Sequence, residues 1–237
     1  MRLIGLLLGL TLLAGCVVPA QTPQSQTRPA QSAAPAQTLP PATVARNFVS
    51  AVDAVEPVAE AFCRARTRNQ NCDFQIVVDD RPNQAANAFQ TLDANGRPIL
   101  GFNLALIADA RNIDEIAFVM GHEAAHHILG HIPQQQKSAT SGALLAGILV
   151  AVGGGGEAAV QQAQRMGATV GARRFSKGFE LEADALGAEI TQRAGFNALR
   201  GAAFFDRLPD PGDQFLGSHP PNAARRETVQ RVVSGLR

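Results

Sequence analysis

The sequence predicts an α+β fold that is mainly helical, with a small β element near its front. Three observations carry this. Val44, Phe48, Val52, Val55 and Val58 fall on one stripe at helical spacing. DFQIVVDD reads as a short β run, and ANAFQTL and RPILGFNLALI flank DANG, whose Asn95-Gly96 is a hairpin signal. From Asn112 a helical pattern runs to about Ile132, and a second occupies RRFSKGFELEADALGAEITQRAG.

Each element has a local reason. The valine and phenylalanine stripe gives the first helix one apolar face. Asp114 and Glu115 open the helix that follows Asn112, where the macrodipole favours acids. SGALLAGILVAVGGGG, 141–156, has an apolar stretch too short for a membrane span and closes on four glycines. It is expected to be a buried or surface-lying helix with a flexible exit. A loop containing GSHPPNAARR and a short terminal helix complete the domain.

The front of the chain is of a different kind. MRLIGLLLGLTLLAGC has Arg2, an apolar run from Leu3 to Leu13, then small residues, which is the pattern of a secretory signal. Leu13-Ala14-Gly15-Cys16 resembles the bacterial lipoprotein cleavage box, which implies a signal peptide over 1–15 and lipids on Cys16. Each buried methylene of such an anchor contributes about 0.8 kcal/mol. Val17, not Asp, follows the cysteine, so the expected location is the outer membrane, facing the periplasm. Residues 16–43 are dominated by Pro, Gln, Ala, Ser and Thr and are expected to be a disordered tether. One compact domain, 44–237, follows. Cys63 and Cys72 are an even pair in an oxidising compartment, so a disulfide worth about 2–3 kcal/mol is expected.

The 237 residues carry a net charge of +1, which excludes a strongly basic nucleic-acid binder, and no nucleic-acid partner is expected. With 46% apolar residues, no Trp and no Tyr, alanine-rich helix packing must build most of the core.

GHEAAHHILGH, 121–131, holds four of the five histidines. With His122 at 0° on a helical wheel, His126 lies at about 40° and Glu123 at about 100°. This is the layout of H-E-x-x-H, in which two neutral imidazoles hold Zn²⁺ and a carboxylate sits close to a water that the metal activates. The rival pair, His127 and His131, lies at about 140° and 180° with no carboxylate beside it. His122 and His126 are therefore the expected ligands, with Glu123 as general base. The longer H-E-x-x-H-x-x-G-x-x-H pattern is excluded, because Leu129 and Ile132 stand at its glycine and third histidine. A third ligand must come from elsewhere. In FELEADALG, Glu180 and Asp184 are four apart and share a face, while Glu182 points to the opposite side. One carboxylate can bind the metal and the other can fix the tautomer of a ligating histidine. The alternative, a solvated acidic face, fits poorly with the Ala/Leu-rich surroundings.

H-E-x-x-H followed by E-x-x-A-D resembles the M48 family of zinc metallopeptidases. His122, Glu123 and His126 match the first motif, and Glu180, Ala183 and Asp184 the second. His131 falls where that family often has a further histidine, which implies a structural role for it, and His127 and His131 are both expected to serve in capping or core hydrogen bonding. His219-Pro220 with Arg225 matches its H-P-x-x-x-x-R element, and Asn87-Ala88-Phe89 resembles its edge-strand N-A-F. The resemblance implies an α+β, mainly helical zincin-type domain with a small sheet and an edge strand beside the active-site helix. It implies one Zn²⁺ per chain on His122, His126 and Glu180, with Asp184 behind them. Peptide substrate would lie along the edge strand near Asn87, and His219, Arg225 or Asn87 would stabilise the oxyanion. A swing of His219, next to Gly217 and Ser218, onto the open metal position would instead make a latch.

The expected protein is a compact, lipid-anchored protease acting on unfolded or misassembled envelope proteins. A zinc-stabilised scaffold or chaperone that uses the same cleft without cutting is the competing reading. The intact Glu123 argues against it, because a pure scaffold needs no general base.

Overall fold

The computed structural model describes residues 39–173, 176–210 and 220–236. Cys16, the signal region, all but the end of the tether and His219 lie outside the described residues.

Helix α1 (Pro41–Arg66) starts on a proline, whose fixed φ suits a first helical turn, and buries Val44, Phe48, Ala51, Val55, Ala59 and Cys63. The predicted stripe is shifted by part of a turn: Val52 and Val58 are only half-buried. Small residues take the central line, which lets the next long helix approach closely. A disulfide joins Cys63 to Cys72.

Strands β1 (Gln75–Asp79), β2 (Ala88–Leu92) and β3 (Pro98–Asn103) form a sheet in the order β1-β3-β2. β1 runs parallel to β3, and β2 pairs antiparallel to β3. β2 is therefore an edge. The hairpin turns at the expected place, where Asp93 Oδ1 accepts from the backbone N–H groups of Asn95 and Arg97. The run RPILGFNLALI is not all strand. It changes at Asn103, which caps helix α2 (Leu104–Asp109) by accepting from Leu106 N at 2.9 Å. The same buried Oδ1 accepts from Asn87 N at 3.0 Å and the Nδ2 donates to Ala85 O at 2.6 Å. Asn103 thus fixes the chain where it enters the edge strand.

Helix α3 (Ile113–Ile128) is capped by Asn112, whose Oδ1 accepts from Glu115 N at 3.2 Å. Asp114 and Glu115 are buried in its first turn, paired with Arg200 and Arg207 respectively. The helix stops short of the expected Ile132. Gly130 takes a left-handed φ of 67°, which breaks the run, and helix α4 (His131–Val152) starts anew at the next residue. Helix α6 (Ser176–Arg193) crosses α3 at a pair of glycines. A Cβ on Gly187 would sit 2.8 Å from the backbone nitrogen of His122, so the approach requires its absence. The domain closes with α7 (Ala198–Gly201), a 3-10 turn over Ala202–Arg207, and α8 (Asn222–Gly235).

α4 and α5 (Glu157–Arg173) form a hairpin turning through four glycines. The apolar run 141–156 spans the outer part of α4 and that turn. It lies on the surface: Leu145, Leu149 and Val152 are exposed, and only Gly147 is buried. No described helix is long and apolar enough to cross a membrane. The architecture is α+β and mainly helical.

Candidate metal and proteolytic centre

α3 and α6 supply the centre between them, and the Gly121–Gly187 crossing sets how close they come. His122 Nε2 and His126 Nε2 are 3.0 Å apart. Glu180 places Oε2 at 3.7 Å from the first and Oε1 at 3.5 Å from the second. Four-coordinate zinc with bonds of about 2.0–2.1 Å separates its ligand atoms by about 3.3 Å. The observed edges bracket that value, and two imidazole nitrogens and a carboxylate are the donor types zinc takes. The three residues therefore fit a metal ion, and they form the one His/Cys/Asp/Glu group of this kind among the described residues.

Each histidine has a partner beside its Nδ1. His122 Nδ1 lies 2.9 Å from Asp184 Oδ1, close in distance though not aligned as a full hydrogen bond. Asp184 is fully buried and is gripped by Arg225, whose Nε and Nη2 donate at 2.7 and 2.6 Å. The same Nη2 is 3.5 Å from Glu180, and the guanidinium lies 3.8 Å over the Phe205 ring. Behind His126, the Nδ1 of His131 stands 2.8 Å from the Nδ1 of His126. His131 Nε2 is 3.3 Å from Glu182 Oε2, and its ring stacks on Phe179 at 4.4 Å. One tautomer set satisfies this chain: Nε2–H of His131 donates to Glu182, and Nδ1–H of His126 donates to His131. That leaves His126 Nε2 with a free lone pair facing the centre.

The electrostatics agree. Burial pushes His126 down to about 3, so its ring is neutral at any ordinary pH. Burial also opposes charge on His122, but the adjacent Asp184 and Glu180 carboxylates win and raise it. Burial pushes Glu123 up to about 7, the range in which a carboxylate can both take and give a proton.

Glu123, His126 and Glu180 line a cavity of about 290 Å³ that also takes in Gln90 of β2 and Gln135 of α4. A second chamber of about 160 Å³ shares Glu123 and Glu180 and includes Asn87 and Arg225. The edge strand thus runs beside both chambers, with Asn87 at one and Gln90 at the other.

The structure brings His122, Glu123, His126, Glu180, Asp184, Arg225 and Asn87 to one place. Arg225 points its fork into Asp184, inward from the cleft. His127 turns away, its Nε2–H donating to Asn71 O at 2.7 Å, and this ties α3 to the disulfide loop. Sequence reading missed Glu182 and Phe179, the partners of His131. A single wheel carried through 122–131 sets His131 opposite the motif; Gly130 was the signal that the helix is interrupted there.

The chain is 32% identical over 124 residues to a Vibrio cholerae serotype O1 protein named as a beta-barrel assembly-enhancing protease. That match covers 49% of this chain and 25% of the relative, so the chain spans about a quarter of the relative's length. The profile of peptidase family M48 matches residues 52–233, from α1 through α8 and across every residue of the centre. The chain belongs to peptidase family M48, and it is a metallopeptidase by that membership.

Proposed function

We propose that the protein is a zinc-dependent endopeptidase that hydrolyses misfolded or misassembled proteins of the cell envelope. The observation that carries this reading is the His122, His126 and Glu180 triangle with Glu123 beside the β2 edge of the sheet. His122, His126 and Glu180 would hold the zinc, whose Lewis acidity would acidify water and polarise a carbonyl. Glu123 takes the proton of the attacking water and delivers it to the amide nitrogen that leaves. Its buried position in the cavity shared with His126 and Glu180 places the carboxyl where both transfers would occur.

The other residues position. Asp184 orients His122, and Arg225 holds Asp184 through Nε and Nη2 and faces Glu180, which gives it a supporting role. His131 and Glu182 orient His126. Substrate adds to β2 as a further strand, since among the described residues that edge pairs with no other strand and Asn87 and Gln90 bracket the centre along it. His219 would act either on the oxyanion or as a latch over the metal position.

The envelope assignment rests on Arg2, the apolar run and the Cys16 box, and on the name of the Vibrio cholerae relative. Lipids on Cys16 would hold the domain at the outer membrane on a periplasmic tether. Quantitative comparison of envelope proteins in cells carrying parent or Glu123→Gln protein tests the reading. Specific polypeptides should persist, uncleaved, with the variant. Identical protein profiles and fragment patterns in the two strains would remove the proposed clients.

A further inference from the structure

Seven of the twelve large apolar side chains exposed among the described residues sit on the α4–α5 hairpin, so the exposure is concentrated, not scattered. Leu145 and Leu149 of α4 are 64% and 73% exposed, and Met166 and Val170 of α5 are 60% and 47% exposed. With the glycines of the helix–helix seam they line an apolar groove of about 840 Å³. Residues 138–156 contain no charged side chain.

The groove is not placed at random relative to the centre. His131, Gln135, Ser138, Gly142, Leu145 and Leu149 follow one another at steps of four and three, and at 100° per residue all lie within about 80° on α4. His131 and Gln135 line the catalytic cavity; Ser138 onward line the groove. One face of one helix therefore leaves the centre and becomes the groove. A chain held at the centre and running along this face would reach the groove without leaving α4.

We propose that this groove is an exosite for an apolar stretch of the same unfolded polypeptide whose scissile bond lies at the centre. The proposal rests on the endopeptidase reading and names its substrate class: extended chains that expose apolar segments, as unfolded proteins do and folded ones do not. The span fixes a length. Leu145 is fourteen residues from His131, about 21 Å at 1.5 Å per helical residue. An extended chain at about 3.3 Å per residue covers that distance in about six residues. Substrates shorter than this on the groove side cannot touch both regions at once.

The test compares the full protein with Leu145→Gln/Leu149→Gln, and separately with Met166→Gln on the facing helix. All three positions are exposed, and thermal unfolding checks the fold. The substrates are β-casein and a hexapeptide around a bond that the parent cleaves within it. Expected is a fall in kcat/KM on casein of about ten-fold, through KM, with the hexapeptide unchanged within about two-fold. Unchanged casein kinetics would overturn the exosite, as would an equal fall on both substrates. The same holds if the variants lose only co-sedimentation with phosphatidylglycerol/phosphatidylethanolamine vesicles, or only self-association in sedimentation velocity. If the parent cleaves neither substrate, the endopeptidase reading fails. The groove is then still read by binding of fluorophore-labelled casein to Glu123→Gln protein, which should weaken about ten-fold when the two leucines are changed.

Discussion

Arg225→Met separates the fold from the metal site. The guanidinium is buried, makes a two-pronged contact with the fully buried Asp184 and also faces Glu180. Methionine retains much of the packing volume against Phe205 but leaves the Asp184 carboxylate without its cation. Removing one partner of a buried pair costs about 3–5 kcal/mol. In a domain of this size that lowers Tm by roughly 6–20 °C. Replacing both partners, Asp184→Leu with Arg225→Met, should recover much of this loss, because no unpaired charge stays buried. It should not recover the metal, since His122 loses the group beside its Nδ1 and zinc affinity stays about 10–100-fold below parent. Thermal unfolding of zinc-free protein reads the first quantity, and titration against a competing chelator the second. A zinc-free single variant within about 1 kcal/mol of parent would refute the assigned energetics. Parent-like zinc affinity in the double variant would refute the role given to Asp184.

Three further outcomes follow from the same geometry. His131→Phe keeps a flat ring against Phe179 but removes the acceptor for His126, so zinc affinity should fall about ten-fold or more in chelator competition while the fold persists. In zinc-free protein, Glu123 is raised by burial from 4.5 to about 7, so the folded state favours its protonated form. That stabilisation is complete below about pH 4.5 and is lost as pH rises through 7. Glu123→Gln should therefore match parent near pH 4.5 and exceed it by up to about 3 kcal/mol above pH 7, measured by denaturant unfolding. His219→Ala should raise basal cleavage if His219 is a latch, and lower it if the residue contacts the oxyanion.

The parts of this molecule legible in its sequence are those set by local periodicity. H-E-x-x-H puts His122 and His126 side by side because helical spacing alone does so, and Asn95-Gly96 turns the β hairpin for an equally local reason. The shared face of Glu180 and Asp184 marked them as the carboxylates able to complete the site, but which of the two binds became readable only through a family resemblance, because nothing in 180–184 states which helix it packs against. Arg225 gripping Asp184 is a contact across forty-one positions, and periodicity carries no information about such partners. His131 was misplaced for a different reason: a wheel assumes an unbroken helix, and Gly130 breaks it. The hairpin was legible as apolar, but whether its leucines face a core or solvent depends on what packs on it.

The most direct measurement takes purified Glu123→Gln protein and determines zinc content and casein cleavage on the same sample. The account predicts one zinc per chain, as in parent, with turnover reduced below detection. Retained zinc with parent-like cleavage would contradict Glu123 as the base, and loss of zinc would contradict its separation from the His122, His126 and Glu180 triangle.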